Sequence, residues 1–351
     1  MNVAILGTGS IALANAAMLA REHRVTLWSP SGAGTTGLAP GRLDFSGALE
    51  GSVSVATAAT LEAAVAEAEV VILSIPANGH RAVLERCGAC LADGQAVFIM
   101  PMLSLGGLVL AQQLARRRIR CLIAGFGTTV MTARKIAPAA VRLLAVRDRL
   151  DVAALPAGDT AQAVELACRL FGDRFNPQSD LLAISLSQTN PVAHVPLALA
   201  NLSRIESGET WTQYDRMAGA TARITVALDR ERLAVARGFG LTVRSIEEHF
   251  VLSFGTPRAD FDAQCRWVHA NLGSPAGPAT LDTRYITEDV PFGLAFYARM
   301  GRVAEVPTPV ADGCIALAGA AYARDFTRAN DLLDALDPQS LQIDRLRLDL
   351  G

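Results

Sequence analysis

Five histidines stand in the chain, and one has a setting suited to proton transfer. His194 follows Ser187-Gln188-Thr189-Asn190-Pro191-Val192-Ala193 and precedes Val195-Pro196. Two prolines and a polar run would hold the imidazole at the mouth of the element that carries it. Imidazole gives and takes a proton near neutral pH, the property that general acid–base catalysis requires. His23, His249 and His269 have no comparable setting and read as structural or solvated side chains. His80 stands at the start of an expected helix and is read the same way. Cys87-Gly88-Ala89-Cys90 has a C-x-x-C spacing, but it lies in a helical stretch with no second cysteine pair, so no metal site is expected.

A second pattern speaks of phosphate. Gly7-Thr8-Gly9-Ser10-Ile11-Ala12 fits G-x-G-x-x-A, directly after an apolar run and opening an Ala/Leu-rich stretch. Gly7 would permit the tight turn, and Gly9 would let the backbone approach a pyrophosphate. The small Ala12 would let helix and strand pack closely. Backbone N–H groups at Ser10 and Ile11 would then face the anion. An NAD enzyme usually carries Asp or Glu at the end of the second strand, where it accepts from the ribose 2′-hydroxyl. Here that strand ends Leu27-Trp28-Ser29-Pro30. Ser29 repels no 2′-phosphate and can donate to one, so NADP(H) is expected over NAD(H). Arg42 is a further cation that could swing in. Pro76, which ends the apolar run Val70–Ile75, would lie beside the cofactor at the carboxyl edge of the sheet.

The elements that must position these groups follow from the apolar pattern. Val3–Leu6, Arg24–Trp28, Val53–Val55, Val70–Ile75, Gln95–Met100 and Ile119–Ile123 read as strands. Helices are expected between them at Ile11–Glu22, Ala58–Ala68 and His80–Leu91. Apolar strands alternating with helices mean a parallel sheet covered on both faces. From about Asp180 the pattern turns helical, with Ile224–Phe239, Thr283–Gly301 and Ala311–Ala323 as the clearest segments. The polar, turn-prone Leu170–Asp180 reads as the linker. The expected class is α/β, with an N-terminal Rossmann dinucleotide-binding domain over 1–175 and an all-helical domain over 176–351.

Composition narrows the function. The 351 residues suit two domains, and 51% hydrophobic with 19% charged residues excludes a disordered chain. A net charge of −2 and 5% aromatic residues give no basis for binding nucleic acid or an anionic membrane. The apolar start is a strand rather than an export signal, and no stretch is regular enough to span a membrane. The expectation is a cytoplasmic protein whose six cysteines are reduced thiols.

Three ordered motifs then carry a resemblance. Asn190-Pro-Val-Ala-His194, Asp229-Arg-Glu-Arg-Leu233 followed by Ala236-Arg-Gly-Phe-Gly-Leu241, and Arg284-Tyr-Ile-Thr-Glu-Asp-Val-Pro291 resemble those of the opine dehydrogenases, the octopine and nopaline dehydrogenase or synthase group. The resemblance runs along nearly the whole chain. It implies a Rossmann domain joined to a helical domain with the active site in the cleft between them. The implied reaction condenses an amino acid with a 2-oxo acid and reduces the imine with NAD(P)H. It also implies that His194 and Asp289 form the catalytic pair, although Asp289 alone reads as a helix cap ahead of Pro291. Arg284 is expected to clamp a substrate carboxylate. Asn190 is expected to hold a substrate oxygen or the nicotinamide.

The particular substrates stay open. Marine octopine dehydrogenases, which take arginine, have a glutamate near the segment matching Gly125–Thr129, and this chain has none there. The rival enzyme is an NADP-dependent 2-hydroxy acid dehydrogenase or ketopantoate-type reductase. The ketopantoate type uses a helical-domain lysine, whereas Lys135, the single lysine, lies in the first half. A non-catalytic NADP(H) sensor is the other alternative, and it would need no proton relay. Oligomeric state is also open, with a homodimer as one arrangement.

Overall fold

The computed structural model describes residues 1–38, 41–342 and 349–351. Its contacts divide the chain into two compact units. The first holds Met1–Ser185 and a return segment that includes Ala335–Ser340, and the second holds Leu186–Asp334.

Among its described residues the first unit carries twelve strands: β1 (Asn2–Leu6), β2 (Arg24–Trp28), β3 (Arg42–Gly47), β4 (Gly51–Ser54), β5 (Ala56–Thr57), β6 (Val70–Leu73), β7 (Ala96–Ile99), β8 (Leu122–Phe126), β9 (Met131–Ala137), β10 (Ala140–Val146), β11 (Leu150–Leu155) and β12 (Phe175–Pro177). Eight of them form one sheet in the order β12-β11-β8-β7-β6-β1-β2-β5. All neighbours are parallel except β11, which runs antiparallel to β8. Strands β6 and β7 are buried along their whole length, which is why they read as unbroken apolar runs. Leu6 pairs with both Trp28 and Leu73, so β1, β2 and β6 end in line. From that edge emerge Gly7, Ser29 and Ser74. The order of strands reverses at β1, the switch point where doubly wound sheets bind ligands.

A second sheet, in the order β4-β3-β10-β9, has β3 and β10 parallel and its other pairs antiparallel. Sequence periodicity shows neither β9 nor β10, because Arg134 and Ile136 on one and Leu144 on the other face outward and blur the alternation. The expected strand at Val53–Val55 is found as β4, which belongs to this second sheet. The segment that reads as a linker instead carries β12. Its Phe175 is buried and meets Phe126 and Phe171 edge-on at 5.6 and 6.4 Å, a packing that polar neighbours conceal.

The second unit has helices and no strand among its described residues, apart from an isolated bridge between Thr212 and Ala276. Helix Ala220–Gly238 is its longest. The helix expected over Thr283–Gly301 is divided into a short turn at Arg284–Thr287, a π-helical turn at Val290–Leu294 and helix Ala295–Val303. Pro291 supplies no N–H, which accounts for a break there. Among the described residues, no helix is long and apolar enough to cross a membrane.

Candidate active site

In the first unit, the glycine loop closes over the sheet edge. The Gly7 N–H donates to the Trp28 carbonyl at 2.8 Å. Its φ of +137° is a conformation that side chains resist, and a Cβ there would stand 2.3 Å from the Ser74 carbonyl oxygen. Gly9 is the opposite case: a Cβ there would have nothing within 4 Å. One glycine is needed for close packing, and the other leaves room outside. Helix Ser10–Leu19 starts at that space with no acidic residue in its first turn, and Ala12 is fully buried against the sheet. Its first N–H groups have no partner within the helix, which makes the turn receptive to an anion. Asn15 donates to the Ser74 hydroxyl at 3.1 Å, and its buried Oδ1 has no partner among the described residues. These features fit the diphosphate of a nicotinamide dinucleotide.

Ser29 is buried, with its hydroxyl 3.3 Å from that of Ser31. Arg42, the cation considered for this edge, is exposed on β3 and paired with Asp44 at 2.8 Å. Pro76 is exposed just beyond β6. His80 turns into the core: it is fully buried and bonds through Nε2 to the Ile75 carbonyl at 2.9 Å. Burial pushes its pKa down to about 4, so the ring is neutral at pH 7 and Nε2 carries the proton. Its function is to brace the turn that carries Ser74 and Pro76.

The second unit brings together two residues 95 positions apart. His194 Nδ1 lies 2.8 Å from Asp289 Oδ2, with 15% and 7% of the two side chains exposed. An Nδ1–H donating to the carboxylate leaves Nε2 without a partner among the described residues. The helix Asn190–Ala200 that carries His194 has Pro191 in its first turn and Pro196 inside. Asp289 stands at the entrance to the π-helical turn Val290–Leu294. That turn lies flush on the histidine helix because residue 293 is glycine. A Cβ there would stand 2.3 Å from Pro191 Cγ. Asn330 holds the turn from its other side by donating to the Pro291 carbonyl at 2.9 Å.

Tyr285 completes the arrangement, and sequence reasoning assigned it no role although its motif was visible. Its ring stacks on the His194 imidazole with centroids 3.8 Å apart and planes 6° off parallel. Its hydroxyl donates to Gln213 Oε1 at 3.1 Å, and Gln213 donates in turn to the Ala276 carbonyl at 2.8 Å. Burial pushes the Tyr285 phenol up, so it stays a neutral donor. Tyr297, fully buried, donates to the Gln188 carbonyl at 2.6 Å and fixes the approach to the histidine helix. Arg284 is exposed and makes no ion pair among the described residues. Asn190 is likewise exposed, at the first position of its helix.

The Asp229-Arg-Glu-Arg motif is architectural. Arg232 has no exposed surface, pairs with Asp229 at 2.7 Å and donates to the carbonyls of Leu186 and Arg244. Asp229 also accepts from the Ile246 N–H at 2.9 Å. Glu231 caps helix Pro309–Tyr322 by accepting from Val310 and Ala311 at 2.7 and 2.9 Å. Removing one partner of such a buried pair costs about 3–5 kcal/mol. Cys87 and Cys90 are free thiols, and burial pushes Cys87 up to about 12, far from thiolate chemistry. Among the described residues no three His, Cys, Asp or Glu side chains are grouped to hold a metal.

Comparison with known proteins gives three kinds of likeness. Residues 177–322 match the family model described as NAD/NADP octopine/nopaline dehydrogenase, alpha-helical domain. The opine dehydrogenase of Arthrobacter sp. (strain 1C) is 28% identical over 275 residues, covering 78% of this chain and 76% of the relative. Octopine dehydrogenase solved with NADH and L-arginine shares the fold at a TM-score of 0.80 and 17% identity, covering 99% of this chain and 96% of that one. Yersinopine dehydrogenase with NADP+ bound does so at a TM-score of 0.75 and 17% identity, over 100% and 97%.

Proposed function

This chain belongs to the opine dehydrogenase family, and from that premise we propose that it joins the amino group of an amino acid to the carbonyl carbon of a 2-oxo acid and reduces the resulting imine. The product is a secondary amine carrying two carboxylates. The observation that carries the reading is the His194–Asp289 bond at 2.8 Å with Nε2 left free. A dinucleotide sensor has no use for a buried carboxylate behind an unpaired imidazole nitrogen.

The neutral amine adds to the 2-oxo carbon, forming a C–N bond and a carbinolamine. Loss of water from that adduct needs a proton on the departing hydroxyl, and His194, protonated, gives it from Nε2. Asp289 holds the ring in the tautomer with Nδ1–H and balances the imidazolium charge. The Tyr285 ring keeps the imidazole plane fixed while Nε2 loses and regains its proton. A bound nicotinamide dinucleotide in its reduced form supplies the hydride that converts the imine carbon to C–H. Arg284 takes a substrate carboxylate with its planar fork, which an exposed and unpaired guanidinium is free to do. Asn190 offers an amide to a substrate oxygen or to the nicotinamide.

The dinucleotide is held by Gly7, Gly9, Ser10 and Ile11, with Ser29 and Pro76 along the same edge. NADP(H) is preferred over NAD(H), because Ser29 and the residues up to Gly41 include no carboxylate to oppose a 2′-phosphate. Six free thiols favour a reducing, cytoplasmic setting. The test is NADPH oxidation with pyruvate or 2-oxoglutarate, with and without basic, neutral and acidic amino acids, followed by product mass. Oxidation that depends on the amine and yields the condensed mass is expected. Oxidation without amine, yielding a 2-hydroxy acid, would overturn the reading in favour of a hydroxy acid enzyme.

A further inference from the structure

We propose that Lys135 is a cation for the pyrophosphate of the bound dinucleotide, delivered to the glycine loop by the edge strand β9. This rests on the dinucleotide-binding reading above. Two bonds join Lys135 to the loop. Its backbone N–H donates to Ser10 Oγ at 2.9 Å, and its ammonium donates to the Thr8 carbonyl at 3.2 Å. Thr8 lies between the two glycines, and Ser10 opens the helix behind them.

Each bond has a consequence for an arriving phosphate. Ser10 Oγ serves as acceptor toward β9, so its own hydroxyl proton is free to donate. The Lys135 ammonium has three N–H donors and uses one on Thr8. No carboxylate pairs with Lys135 among the described residues, and the first helical turn beside it carries no acidic residue. The positive end of the helix and the ammonium therefore add rather than cancel. Gly9 leaves open space at the same turn.

A planar guanidinium and a compact ammonium are not equivalent here. Lys135 is the single lysine among 32 lysine and arginine residues. A point charge on a flexible stem can hold a carbonyl with one N–H and turn the others to phosphate oxygens. A lysine serving only to brace the loop would not change how phosphate binding responds to charge or salt.

The single side-chain amine permits a direct test on unaltered protein. N-hydroxysuccinimidyl acetate acetylates Lys135 and the α-amino group of the chain, which serves as the internal reference. NADH and NADPH should each slow acetylation of Lys135 several-fold while leaving the reference unchanged. In parallel, dissociation constants of both dinucleotides are measured by fluorescence titration at two salt concentrations for wild type, Lys135→Met and Lys135→Arg. Lys135→Met should weaken both dinucleotides roughly tenfold, the loss of one charge-assisted hydrogen bond, and flatten the salt dependence. Lys135→Arg should bind more tightly than Lys135→Met and more weakly than wild type, because a guanidinium restores the charge but not the compact ammonium that holds Thr8 and phosphate together. Wild type that binds either dinucleotide while Lys135→Met binds it equally well, with the same salt dependence, would overturn the assignment alone. A loss confined to NADPH would overturn it too, by moving the charge to the 2′-phosphate. Unprotected acetylation at saturating dinucleotide would do the same without any variant. Wild type that binds neither dinucleotide would instead overturn the reading on which the assignment rests.

Discussion

Acidification should destabilise the first unit through His80. The ring is fully buried, with Nε2–H committed to the Ile75 carbonyl and Nδ1 without a partner among the described residues. A proton added at Nδ1 would place a charge and an unpaired donor in the core, which is why burial pushes the pKa from 6.5 to about 4. The unfolded chain takes up this proton as the pH falls through 6.5, and the native chain takes it up only near 4. The unfolded state therefore binds more protons across that window, and stability falls with pH. The contribution is complete above pH 6.5, is lost between 6.5 and about 4, and is level below. At about 1.4 kcal/mol per pH unit the gap amounts to roughly 3 kcal/mol. Urea unfolding at steps from pH 7 to 4 would measure it for wild type and His80→Gln. Glutamine can donate to Ile75 and does not titrate. The stability difference between the two proteins should shift by about 3 kcal/mol in favour of the variant as the pH falls. Parallel curves for the two proteins would refute the reasoning, because titration elsewhere is common to both.

Asp289→Asn should slow turnover by about 10²–10⁴ without weakening NADPH binding, and adding His194→Ala should cost little more, since residues acting as one unit are not additive; steady-state kinetics beside a dinucleotide titration checks both. Arg284→Lys should raise the KM of one acid substrate roughly tenfold, the worth of one charge-assisted bond. A rise in the NADPH dissociation constant instead would place that guanidinium on the dinucleotide. Ser29→Asp should weaken NADPH about tenfold or more and leave NADH little changed, because a carboxylate about 4 Å from a 2′-phosphate costs roughly 1–4 kcal/mol; equal losses for both would remove Ser29 from the ribose.

What was legible in the sequence was chiefly what is local. The glycine loop is a matter of turn geometry within six residues, and its strand and helix lie on either side. Gly7 and Gly9 could be told apart from other glycines because the pattern encodes their order. The buried strands β6 and β7 announce themselves as apolar runs. By contrast β9 and β10 pack one face and expose the other with irregular spacing, so no periodicity marks them. Lys135 lies 125 residues from Ser10, and only the fold brings its strand to the loop. His80 looked like a helix start near the cofactor edge, and the difference between a ligand and a neutral brace lies wholly in burial.

The long-range pair shows a different limit. His194 could be singled out by its own neighbours, but Asp289 alone reads as a cap, and only the family motif joined them. The physical join is a glycine: Gly293 lets a π-helical turn press against Pro191, which sets Asp289 opposite the imidazole. Nothing in a helical pattern distinguishes that glycine from a weak point in a helix. Motif strength also proved a poor guide to role. The Asp229-Arg-Glu-Arg segment and the Arg284–Pro291 segment both lie within the stretch that matches the family model, yet Arg232 has no exposed surface and spends its donors on carbonyls within its own unit. Arg284 is exposed and unpaired, five positions before a buried aspartate that holds the histidine. Two arginines in two motifs of one family thus stand in opposite settings, and burial with hydrogen-bond partners separates them.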